Sequence, residues 1–241
     1  MATGAQATAR LAGETGSMWS RLERAAVALQ AAGKWPKGSR GGGRATPHVE
    51  PEHLVNLMLA IACADPITAA AGAVHRFRSL IVSRTVEVQE VEIRGDGGVI
   101  TRLTPEPARR SAAEAALHQF GNTFGARCDG LLLLASRDRL VRDFAWGAVS
   151  FTFTLDDEFP EAALTFSNSI GTDRMRRTIE TSRFRIAHDE DMPQRQTPAA
   201  APVRTVTVPF AFFEVLRDLA HDTLQKTAED PKLCVVSDSP A

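Results

Sequence analysis

The sequence predicts an α+β protein: an N-terminal three-helix, helix-turn-helix-like unit, then a mixed, mainly antiparallel sheet with flanking helices. Three observations predict it. Before residue 82, apolar residues recur at three- and four-residue spacing in three successive stretches. From about Arg84 onward, short runs alternate apolar with polar or β-branched residues between glycine, aspartate and proline turns. At 241 residues, 44% hydrophobic and 24% charged, the chain is long and apolar enough to bury a core.

Residues 1–16 are small and polar and lack the apolar run of a secretory signal, so a disordered tail is expected there. Residues 17–82 form the helical unit. Trp19, Leu22, Ala26 and Leu29 define the first helix, with Ser17 as N-cap and Gly33 as stop. A glycine-rich basic stretch follows, from Lys34 to Arg44. The second helix runs from Glu50 to about Cys63, with Pro51 in its first turn and Leu54, Leu57, Met58 and Ile61 as its stripe. Asp65-Pro66 opens the third, carried by Ile67, Ala70, Val74, Phe77 and Ile81.

Residues 84–226 form the α+β part. Thr85 to Ile93 alternates as a strand, with a slip between Val88 and Val91 that suggests a bulge. Gly95 to Gly98 turns the chain toward a second strand at Val99 to Leu103. Thr104-Pro105-Glu106 is expected to open a helix reaching about Phe124. Leu131 to Leu134 is too short for periodicity to classify. Val149, Phe151, Phe153 and Leu155 alternate cleanly, Asp156 to Pro160 turns, and Ala162 to Phe166 is the partner strand. Thr178 to Ile186 and Val203 to Val208 are further strands, with His188 to Pro202 as a loop between them. Pro209 opens a last helix, and 227–241 is expected to be a flexible acidic tail.

Charge divides the chain. The formal net charge is −1, yet residues 17–84 hold nine Lys/Arg against four Asp/Glu, and the acidic excess lies beyond them. That asymmetry points to a nucleic-acid-facing module joined to a second part. In the helix-turn-helix reading, the second and third helices form the motif, and Thr68, Arg76 and Arg78, beside His75, contact DNA. Lys34, Lys37, Arg40 and Arg44 supply charge to phosphates, and Trp35 stacks on a base or sugar. Arg174, Arg176, Arg177, Arg183 and Arg185 form a second basic cluster, in which Arg183 and Arg185 share one face of a strand.

Other chemistries find little support. GSRGGGR lacks a GxxxxGK[ST] pattern and follows a helix, which excludes a nucleotide P-loop. His48 and His53, with Glu50 and Glu52, read better as helix-start polar residues than as metal ligands. Asp156, Asp157 and Glu158 lack EF-hand spacing. No GxSxG occurs, and Cys63, Cys128 and Cys234 are sparse and far apart, which fits a reducing, cytoplasmic setting. No catalytic residue, cofactor or metal is assigned. An enzyme built from scattered residues remains a third class.

The N-terminal segment from Leu22 carries the run AGKWPKGSRGGGRATPHVEPEHLVNLMLAIACADPITAA. Over about 50 residues this segment resembles the opening of uncharacterised proteins of prophages and phage-like elements of Gram-negative bacteria. The resemblance implies a phage-encoded regulatory or DNA-associated protein and carries over no catalytic residues. The leading expectation is therefore a phage-type regulator that binds double-stranded DNA through residues 17–82 and acts as a homodimer. The alternative is a protein-interaction module, for example an inhibitor of a host complex.

Overall fold

The computed structural model describes residues 3–16, 19–37, 48–93, 98–107, 112–136, 148–156, 159–169, 176–186 and 204–229. Its architecture is α+β, with helices gathered on one face of a six-stranded sheet.

Most of the stretch expected to be a disordered tail, residues 1–16, is a helix. Helix α1 (Gly4–Thr15) opens on a capping box: the Thr3 hydroxyl accepts from the Gln6 amide at 3.3 Å, and Gln6 Oε1 accepts from the Thr3 amide at 3.0 Å. It buries Ala7, Thr8 and Leu11. Gly16, at φ 64°, ends it in the left-handed conformation that glycine adopts without cost.

Helices α2 (Trp19–Ala31), α3 (Pro51–Cys63) and α4 (Ala70–Arg78, led by a 3₁₀ turn at Ile67–Ala69) follow the apolar spacing. Each of the three touches the other two. Helix α3 is the central one. Every residue from Leu54 to Ala60 is buried, so its apolar surface extends all round instead of forming the single stripe expected. Arg21 of α2 donates to the carbonyls of Ile61 and Ala64 at 3.1 and 3.2 Å, which satisfies two acceptors at the C-terminal end of α3.

The strands are β1 (Ile81–Ile93), β2 (Val99–Pro107), β3 (Ala148–Leu155), β4 (Glu161–Ser169), β5 (Arg176–Arg185) and β6 (Arg204–Val208). Their order across the sheet is β2-β1-β5-β4-β3-β6, with every pairing antiparallel. The irregularity in β1 lies between Val82 and Val86, not between Val88 and Val91, which stay in register with β5. The helix expected from Thr104 to Phe124 does not form. Residues 104–107 complete β2, whose Pro105 and Pro107 are tolerated because it is an edge strand. Among the described residues, α5 (Ala112–Leu117) and a 3₁₀ turn (His118–Phe120) lie between β2 and α6. Leu131 to Leu134 belongs to α6 (Phe124–Ser136), which is buried on most sides. The last helix, α7 (Phe210–Glu229), continues into the stretch expected to be an acidic tail; residues 230–241 lie outside the described residues, as do the expected turn at 95–97 and the expected loop at 188–202.

One buried cluster joins α1–α4, α6 and α7 to the inner face of the sheet, formed by Val149, Phe151, Phe153, Leu164, Phe166 and Phe184. Phe124 stands edge-on to Phe184, Phe153 and Phe151, with ring centroids 5.0, 5.7 and 6.4 Å away. Phe77 of α4 meets Phe153 at 5.5 Å in the same geometry. The change of character near Arg84 is thus the start of a strand whose helices share that core.

Candidate functional site

Helix α4 divides cleanly. Ala70, Val74 and Phe77 are buried, while Thr68 in the preceding turn, and Gly72, His75 and Arg76, face solvent. Its C-terminal turn is basic, which the helix dipole favours.

The structure brings only part of the expected interface to the surface. Lys37 is exposed and Lys34 half-buried; Arg40 and Arg44 lie outside the described residues. Trp35 is a correction. It is 2% exposed and belongs to the core. Its ring meets His53 edge-on at 6.3 Å, and its Nε1 lies where a Cβ on Gly4 would stand, 2.7 Å away. No face is left for stacking on a base.

Arg78 is the second correction. Its Nη1 donates to Asn56 Oδ1 at 3.1 Å and to Asp129 Oδ1 at 3.2 Å, and its Nη2 donates to Asp129 Oδ2. Asn56, itself 1% exposed, donates in turn to the carbonyl of Lys34 at 3.2 Å. A continuous polar network therefore ties the end of α2 to α3, α4 and α6. Burial works against the Arg78 charge, but the hydrogen bonds and charge of Asp129 outweigh it and raise the guanidinium above its ordinary value. Burial pushes the Asp129 carboxyl up, opposed by Arg78. Arg78 is committed to this pair and does not project as a phosphate contact.

Sequence reasoning missed this network. Asn56 was legible as the one polar side chain within LVNLMLAIA, but Asp129 lies 51 residues from Arg78 and announces nothing locally. A shallow groove of about 300 Å³ beside it is lined by Pro51, Phe120, Ala126, Asp129, Gly130 and Leu133.

A second pair is fully interior. Arg127, 0% exposed, donates through Nη2 to Glu114 Oε1 at 2.6 Å and through Nη1 to the Glu114 carbonyl at 3.3 Å. Burial raises the Glu114 carboxyl and lowers the Arg127 guanidinium, each countered by the other's charge. Arg127 locks α5 onto α6.

Two members of the second basic cluster, Arg183 and Arg185, are paired with carboxylates. Arg183 and Arg185 do share the outer face of the sheet. Arg183 donates to both carboxylate oxygens of Glu87, at 2.9 and 3.1 Å, and stands 3.7 Å from Glu161. Arg185 meets Glu161 at 2.9 Å. Hydrogen bonds from Arg183 hold the Glu87 carboxyl below its ordinary value. Arg174 lies outside the described residues.

The remaining candidates take structural places. His53 Nδ1 accepts from the Glu50 amide at 3.0 Å, a helix-start contact. Asp156 Oδ1 accepts from the Phe159 amide at 2.9 Å within its turn. Burial pushes the Cys63 and Cys128 thiols up, away from reactivity. Among the described residues no group of three His, Cys, Asp or Glu side chains is placed to hold a metal, and no helix is long and apolar enough to cross a membrane.

Comparison with family models, with curated proteins and with solved structures finds no match to this chain.

Proposed function

We propose that the protein is a phage-type regulatory protein of the cytoplasm that binds double-stranded DNA through its N-terminal helices, with the sheet serving dimerisation or partner binding. The observation that carries this is the division of α4: an apolar face seated on α2, α3 and β3, and an exposed face bearing His75 and Arg76, with Thr68 exposed in the turn before it. A helix that enters a groove needs this separation, with polar and cationic side chains outward. Lys37 adds an exposed charge at the corner after α2. Trp35 and Arg78 take no part. Binding would draw most of its strength from counterion release at phosphates.

Fluorescence anisotropy with a random-sequence duplex between about 50 and 200 mM salt tests this. Binding is expected to weaken steeply with salt. Replacing Lys37 and Arg76 by Ala should reduce the log–log slope by about 2, at roughly 0.9 per lost phosphate contact. Absence of binding at the lowest salt overturns the proposal.

A second reading, a module that binds and inhibits a host protein complex, is favoured by one feature. Val99 and Leu103, four residues apart on one face of β2, are 62% and 64% exposed. An apolar pair held outward on an edge strand suits a protein contact. In that case Leu103→Asp would abolish capture of the partner from host extract while leaving the far-UV circular dichroism unchanged.

A further inference from the structure

We infer that the outer face of the sheet, centred on β5 and β4, is where a second copy of this chain packs. This deepens the proposed role of the sheet in dimerisation and rests on that part of the reading, not on DNA contact.

The helical side of the sheet is filled, because the buried core takes its strand residues from the inner face. Residues alternating with them point the other way. On β4 and β5 these include the short Ala163, Thr165, Ser167 and Thr181 at the middle, with Ile179 at one end and Glu161, Arg183 and Arg185 at the other. Ala163 is 9% exposed yet does not belong to the core cluster. Thr165 and Thr181 hydrogen-bond each other across the strands at 3.2 Å. At one end, Ile81 stands opposite Arg185 and is 38% exposed.

Both edges of the sheet are poorly suited to strand addition. β2 carries Pro105 and Pro107, and β6 has only five residues. Self-association through the sheet is left with its outer face, on which no described helix packs.

The charges on that face fit a copy of themselves. Glu87, Arg183, Glu161 and Arg185 form one chain of ion pairs with alternating sign and no net charge. A like-charged patch would repel its own copy. An alternating one does not: a two-fold axis passing between Arg183 and Glu161 sets each arginine over the other copy's glutamate. That is the self-complementarity an isologous interface requires, since residue i meets j and j meets i. Two sheets stacked this way would form a sandwich across the axis, about 10 Å between sheets.

Sedimentation velocity tests the inference. The wild-type protein at about 50 μM should sediment at twice the 26.0 kDa chain mass. Arg183→Glu alone, and Glu161→Arg alone, each place like charges across the axis and should each sediment as monomers with unchanged circular dichroism. Mixed in equal amounts, the two variants should form a heterodimer, because each cross-axis contact then pairs opposite charges. Within each variant chain the Arg183–Glu161 pair stays broken, so the mixture reads the contact between copies and not repair of the fold. A monomeric wild type, a dimer that survives both single changes, or a mixture that stays monomeric overturns the inference. Anisotropy on the same samples reports DNA binding separately, so failure of one reading is distinguishable from failure of the other.

Discussion

Arg78 lies directly across Gly125: a Cβ on that glycine would stand 2.8 Å from Arg78 Nε and 2.9 Å from its Cβ and Cγ. The bare backbone of α6 is what lets Arg78 reach Asp129. Gly125→Ala has an intrinsic helix advantage of about 1 kcal/mol. Here the near part of the side chain is struck, so α4 must shift, at a cost of about 1–3 kcal/mol. A net loss of stability is expected, read as a lower urea midpoint with an unchanged slope. An equal or higher midpoint would mean that Arg78 does not occupy this position.

The Arg127–Glu114 pair predicts a larger effect. Glu114→Gln keeps the shape but leaves the Arg127 charge buried without its partner, which costs about 3–5 kcal/mol. Replacing both residues with apolar side chains, Glu114→Leu with Arg127→Met, should recover most of that loss. Urea unfolding of the single and double variants checks both. A Glu114→Gln protein as stable as wild type would refute the placement of the pair.

Helix α1 is part of the core, and Leu11 is 0% exposed. Leu11→Ala should destabilise the whole protein by about 2–5 kcal/mol. A loose tail would give no change in the thermal midpoint, so calorimetry separates the two.

Glu87 supplies the pH prediction. Its folded carboxyl is held low chiefly by hydrogen bonds from Arg183. The stabilisation is therefore present above the ordinary glutamate value of about 4.3 and is lost as pH falls through the lower folded value. Both side chains are more than a third exposed, at 38% and 41%, so solvent screening keeps the contribution below about 1 kcal/mol. A carbon NMR titration should find the Glu87 midpoint moving upward in Arg183→Ala. A midpoint that stays put would refute the pairing.

Much of this fold was legible because its signals are local. The spacing of Leu22, Ala26 and Leu29 and the alternation of Val149, Phe151 and Phe153 each encode one buried face. Leu131 to Leu134 defeated periodicity because α6 is buried nearly all round and has no polar side to mark its turns. Helix α1 was missed because its buried face is mostly Ala and Thr; the Thr3 and Gln6 capping pair was the cue available. Thr104-Pro105-Glu106 imitates a helix start, but an edge strand accepts proline equally well. The fates of Arg78 and Trp35 were not legible at all. Both are set by partners distant in the chain, and a basic or aromatic residue looks the same in sequence whether it faces solvent or the interior.

The order of strands also bears on how the chain comes together as it is made. The hairpins β1–β2 and β3–β4 join neighbours in sequence, but β1 pairs with β5, and Arg183 meets Glu87 across 96 residues. Pairing β1 with β5 closes a much longer loop than either hairpin and carries the larger entropic cost. Helix α1 is tied over a longer span still: its Arg10 bonds Asp222 of α7, 212 positions later. Helices α1 and α7 are thus fastened to each other by residues far apart in the chain.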